Sequence, residues 1–134
     1  MTDANTQFAD LAARAAEARK WSYAPYSHYA VGAAILAASG KIYDGVNIEN
    51  ASYPVTLCAE RVAGAKAVSE GEREFVAVAV STANGGTPCG ACRQFLSEFG
   101  MDAVVVVADA EGRVLKQTTV HDLLPDSFGP AQLK

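Results

Sequence analysis

The chain has 134 residues, 50% apolar and 19% charged. That is the size of one domain with a self-sufficient core, and it excludes an intrinsically disordered chain. With 11 basic and 15 acidic residues the formal charge is −4, which excludes the basic footprint that a nucleic-acid backbone demands. Apolar runs such as 75–80 and 103–108 are far shorter than the roughly 20 residues that cross a bilayer. Residues 1–7 lack a basic stretch followed by an apolar one, so no secretory signal is expected. The expectation is a single domain over 1–134, cytoplasmic, with no membrane or nucleic-acid partner. In a reducing compartment an odd set of cysteines, Cys58, Cys89 and Cys92, does not suggest a disulfide framework.

In chain order, residues 3–20 carry Phe8, Leu11, Ala12, Ala15 and Ala18 at helical spacing, with Asp3 or Asn5 as the cap. Pro25 breaks this helix within Tyr23-Ala24-Pro25-Tyr26-Ser27, because the residue before a proline avoids helix. Residues 29–37 and 41–46 read as a hairpin about the Ser39-Gly40 turn. Residues 58–69 predict a helix ending near Gly71, and 74–81 an apolar, β-branched strand. Residues 81–88, rich in Gly, Asn and Pro, read as a loop. Residues 89–99 predict a second helix stopped by Gly100. Residues 103–108 predict a strand covered on both faces, 113–117 a last strand, and 120–124 a helical turn. Alternating strands and helices imply helices packed on the faces of one mixed sheet.

Thr87-Pro88-Cys89-Gly90-Ala91-Cys92-Arg93 sets two thiols three residues apart at the start of a helix. By itself this pair fits a redox couple as well as a metal site. Leu57-Cys58-Ala59-Glu60-Arg61 adds a third thiol at the start of another helix. Three sulfurs can hold a zinc ion and leave its fourth position for water, the arrangement of a catalytic site rather than a structural one. Neither His28 nor His121 sits at ligand spacing from a cysteine; both read as surface residues. Glu60, in the first turn after Cys58, is placed to sit beside a metal without binding it, where a proton shuttle belongs.

Cys58-Ala59-Glu60 followed by Pro88-Cys89-Gly90-Ala91-Cys92 is similar to the zinc-dependent deaminase signature. With Tyr23–Ser27, Val31-Gly32-Ala33-Ala34, Asn47-Ile48-Glu49-Asn50, Leu123-Leu124-Pro125 and Phe128, nearly the whole chain resembles the small cytidine deaminases of nucleoside salvage. The resemblance implies a three-layer α-β-α sandwich with a mixed five-stranded sheet. It implies one zinc ion per chain on Cys58, Cys89 and Cys92, with Glu60 as general acid/base. The implied activity is hydrolytic deamination of cytidine and 2′-deoxycytidine. Asn47 and Glu49 would bind the ribose hydroxyls. Ala59 and Tyr29 would also meet the nucleoside, Tyr29 standing where the family usually has a phenylalanine. A homotetramer is implied, with Tyr53 and Phe128 reaching into neighbouring sites.

The charges of such a site conflict. Three thiolates outweigh one zinc ion and would blunt its acidity. Two helix N-termini, each worth roughly half a positive charge, and Arg61, a partner for a ligand sulfur, offset them. Glu49 would repel a phosphate, favouring a nucleoside over a nucleotide. Two competing readings are a deaminase of a cytosine-bearing antibiotic and a non-catalytic zinc or redox module. Apart from the family pattern, Cys58 fits a small buried hydrophobe. Glu60, Arg61 and Glu49 fit solvated surface charges, Asn47 a turn residue, and Tyr29 and Phe128 packing within their own chain.

Overall fold

The computed structural model describes residues 4–133. Helix α1 (Ala4–Ala18) runs into a 3₁₀ turn (Arg19–Trp21). Strands β1 (Gly32–Ala37) and β2 (Ile42–Val46) form the hairpin. Then follow α2 (Ala59–Ser69), β3 (Phe75–Ser81), α3 (Gly90–Phe99), β4 (Val104–Ala108), β5 (Val114–Thr119) and a single turn, α4 (Val120–Leu123). Among the described residues the sheet has five strands in the order β2-β1-β3-β4-β5. The β3–β4 pair is parallel and the other pairs antiparallel, so the sheet is mixed, as the alternation of elements predicts.

Period-two alternation divides the core. Ala33, Ile35, Val78, Val80, Val105 and Val107 face α2 and α3. Ala34, Leu36, Ala77, Ala79, Val106 and Ala108 face Leu11, Ala12 and Ala15 of α1. Each buried valine or isoleucine contributes about 1.5–3 kcal/mol. Phe75 joins the α2/α3 side against simple parity, because the β1–β3 register shifts between Leu36 and Ala37. A bulge there adds one residue to β3 and reverses its faces.

Four expectations need correction. Asn5 lies inside α1 rather than ahead of it; Asp3 lies outside the described residues. The first strand begins at Gly32 rather than at 29. Its expected opening is engaged elsewhere: Asn47 Nδ2 donates to the Tyr29 carbonyl at 2.8 Å and Arg19 Nε to the Ala30 carbonyl at 3.1 Å. His28, at φ 58°, turns the chain just before. Cys58 and Cys89 are not within their helices but are the N-caps of α2 and α3. The last strand extends to Thr119, whose hydroxyl caps α4 by accepting from Asp122 N.

The placement of α2 decides where Cys58 and Glu60 lie. A Cβ at Gly45 of β2 would sit 2.5 Å from Ala63 N and 2.6 Å from the Ala59 carbonyl oxygen. Only glycine lets α2 lie this close to the sheet, and Ala59, Ala63 and Ala67 complete the contact.

Candidate active site

Two helix N-termini converge on the three cysteines. Cys58 (φ −78°, ψ 150°) and Cys89 (φ −67°, ψ 169°) hold extended N-cap conformations. The unpaired N–H groups of each first turn therefore favour a negative sulfur. Cys92, one turn into α3, is buried. The three Sγ atoms lie within 4.8 Å of one another, and Cys58 Sγ and Cys89 Sγ are 3.8 Å apart. A tetrahedral zinc with Zn–S arms of about 2.3 Å has S···S edges of about 3.8 Å. The donor set and its spacing fit a zinc ion.

The surroundings act on the thiols and on the neighbouring carboxyl. A hydrogen bond with Cys92, aided by Arg61, draws the Cys58 thiol down to about 5. Cys92 is pushed far the other way by its bond to Cys58 and by burial. Arg61 Nη2 reaches Cys58 Sγ at 3.6 Å and the Thr56 carbonyl at 3.4 Å. Its Nε is buried, with no hydrogen-bond partner among the described residues. Glu60 is only 4% exposed. Burial, then the nearby Cys58 charge, raises its carboxyl to about 7, so it can hold or release a proton near neutrality.

A pocket of about 210 Å³ opens onto these groups, with Cys58, Ala59, Glu60, Cys89, Asn47 and Tyr29 in its lining. Residues 5–108 match the family model of the cytidine and deoxycytidylate deaminase zinc-binding region. The chain belongs to that family. It is 46% identical over 125 residues to a cytidine deaminase of Sporosarcina psychrophila, covering 92% of each chain. It is also 46% identical over 122 residues to a probable cytidine deaminase of Dictyostelium discoideum, covering 89% of this chain and 82% of that one. The crystal structure of cytidine deaminase from Burkholderia pseudomallei superposes with a TM-score of 0.83 at 44% identity, over 89% of this chain and 97% of that one.

Within this deaminase fold a small ladder brings 47–49 beside 57–58. Ile48 and Leu57 exchange both backbone hydrogen bonds at 2.9 Å, and Glu49 N donates to the Tyr23 carbonyl at 2.9 Å. Asn47 is nearly buried. Its Oδ1 accepts from Ser22 Oγ and Val31 N, and its Nδ2 donates to the Tyr29 carbonyl. One amide hydrogen remains for a ligand. Glu49 lies in an adjoining cleft of about 400 Å³ with Tyr26, Ser27 and Tyr53; Thr56 lines both. Its Oε1 accepts from Tyr26 N at 2.9 Å and Ser27 N at 3.1 Å, and its Oε2 from the Ser27 hydroxyl. The Ser27 hydroxyl above all holds this carboxyl below the usual carboxylate range.

Tyr53 and Phe128 are 69% and 57% exposed. Tyr53 packs edge-on to Tyr26, and the Phe128 carbonyl accepts from Gln94 Nε2 at 3.0 Å. Two residues near the site escaped the sequence reading. Arg93 donates from Nε to the Pro88 carbonyl at 2.7 Å, from Nη1 to the Leu123 carbonyl at 2.9 Å and from Nη2 to Thr87 Oγ1 at 3.0 Å. Its position directly after Cys92 was the available signal. Asn84 accepts the Tyr29 hydroxyl at 2.6 Å, and no local pattern marks it.

Proposed function

We propose that the chain catalyses the zinc-dependent hydrolytic deamination of cytidine and 2′-deoxycytidine, giving uridine or 2′-deoxyuridine and ammonia. The observation that carries this reading is the convergence of three thiols with one buried carboxyl. Cys58, Cys89 and Cys92 lie within 4.8 Å of one another, and Glu60 lines one pocket with Cys58 and Cys89. Cys58, Cys89 and Cys92 would hold a zinc ion, which would supply Lewis acidity and an acidified water.

Glu60 moves the protons. Its carboxyl accepts one from the attacking water and delivers it to ring N3, making C4 electrophilic. As the C4–N bond breaks, the same carboxyl takes the proton of the new C4 hydroxyl, leaving the carbonyl, and passes it to the amine, which leaves as ammonia. Arg61 offsets the thiolate charge at Cys58. Tyr29 and Ala59 flank the base. Asn47 orients the sugar with its remaining amide hydrogen, and the ribose reaches past Thr56 toward Glu49. The role is nucleoside salvage in the cytoplasm, by a homotetramer in which exposed Tyr53 and Phe128 complete neighbouring sites. Among the described residues, no helix is long and apolar enough to cross a membrane.

The test is direct. Zinc-loaded protein is incubated with cytidine, and uridine and ammonia are measured. Equal amounts of both products are expected. Neither product from protein carrying one zinc per chain would overturn the reading.

A further inference from the structure

Tyr29 and Asn84 stand 55 residues apart in sequence, and their side chains meet at 2.6 Å, the phenol donating to Asn84 Oδ1. Asn84 belongs to the loop between β3 and α3, which contributes Thr82, Gly86 and Thr87 to the pocket wall and leads into Cys89. The loop rests directly on the phenol: a Cβ at Gly86 would lie 2.8 Å from the Tyr29 hydroxyl oxygen. Within the loop, Gly86 N donates to Thr82 Oγ1 at 2.8 Å. Among the described residues, the Tyr29–Asn84 bond is the one hydrogen bond joining residues 83–86 to another part of the chain. The far end of the loop is fixed separately, by Arg93 on Thr87 and Pro88.

We infer that Tyr29 and Asn84 form a positioning pair that fixes this loop as a wall of the pocket. The Tyr29 hydroxyl thereby serves nucleoside affinity without touching the nucleoside. This deepens the function proposed above and rests on it. A loop free to take other positions lowers apparent affinity by the fraction of time the wall is out of place. Glu60 and the cysteines are carried by the ends of α2 and α3, so the chemical step is held independently of residues 83–86. The pair therefore acts on KM more than on kcat.

The experiment is a double-mutant cycle with Tyr29→Phe, Asn84→Leu and both together. One neutral hydrogen bond corresponds to about a fivefold effect. Each single variant is expected to lower kcat/KM for cytidine about fivefold, carried by KM, and the double variant no further, since both remove the same bond. Asn84→Asp keeps the acceptor and is expected to restore KM to within about twofold. Deuterium uptake over residues 82–87 is expected to quicken in both single variants at unchanged zinc content. Additive losses, no rescue by Asn84→Asp, or unchanged deuterium uptake in Asn84→Leu would overturn the inference. Wild-type protein that bound zinc but left cytidine intact would sink the functional reading alone; deuterium uptake would still decide whether the pair holds the loop.

Discussion

Arg61 points its Nη2 at Cys58 Sγ, 3.6 Å away, and at the Thr56 carbonyl, 3.4 Å away. A guanidinium at this distance favours the negative form of the sulfur. That help is needed, because three thiolates around one divalent cation supply more negative charge than the cation cancels.

Arg61→Gln should therefore fold normally, because Arg61 belongs to neither core cluster. It should lose about 10–100-fold in kcat/KM, the usual effect of removing a partner of a metal ligand. Circular dichroism, zinc content and cytidine turnover measured together decide it. Full turnover with one zinc per chain would refute the charge argument.

Glu60 gives a different signature. Its carboxyl is buried and lies near the thiols without belonging to their cluster. Glu60→Ala should retain one zinc per chain and lose about 10²–10⁴-fold in kcat, the range for a general acid–base group. Removing a buried ionisable group should not lower the melting temperature much, since its charged form is disfavoured by burial. A variant that failed to bind zinc would make Glu60 a ligand and end the proton-transfer role.

Glu49 bears on substrate class and on pH. Its carboxyl accepts from Ser27 and Tyr26, and its ionisation lies below the usual carboxylate range. A depressed acid contributes to the fold above its ordinary value, and the contribution disappears as pH falls through the lowered one. At neutral pH Glu49 is therefore ionised and repels a 5′-phosphate, by about tenfold or more at close range. Cytidine should be turned over at least about tenfold faster than its 5′-monophosphate at pH 7, and Glu49→Gln should narrow the gap. Ser27→Ala should move the Glu49 titration back toward the ordinary carboxylate range, readable by NMR. Equal rates for the two substrates in the wild type would sink the argument.

Much of the fold was legible because local periodicity and burial agree. Val105 and Val107 alternate with Val106 and Ala108 across two covered faces, and α1 shows its alanine stripe in the sequence. The cysteines were legible because their spacing is local and their chemistry narrow. What stayed hidden depends on distant contacts. The late start of β1 follows from Asn47 and Arg19 taking the carbonyls of Tyr29 and Ala30. The bulge that turns Phe75 to the other face is a property of pairing with β1. Glu49 falls in a cleft beside the cysteine pocket because the Tyr26-Ser27 loop captures its carboxylate. No pattern in 47–50 announces that partner.

Arg93 is the clearest of the hidden contacts, and it yields the last prediction. Its guanidinium spans three acceptors: Thr87 and Pro88, just before Cys89, and Leu123 at the end of α4. The planar fork of an arginine can meet all three at once. A lysine ammonium at that position reaches one or two of them from a different angle. Arg93→Lys keeps the charge but should lose about 2–4 kcal/mol of stability, at the rate of about 1.5–3 kcal/mol per charge-assisted bond removed, less reorganisation. Because the lost bonds anchor the segment that presents Cys89, the variant should also surrender zinc to a chelator faster than wild type. Thermal melting and the rate of zinc release to a colorimetric chelator read the two effects separately. A lowered melting point with unchanged zinc release would confine Arg93 to holding α4. No change in either would mean that the three hydrogen bonds contribute nothing to the site.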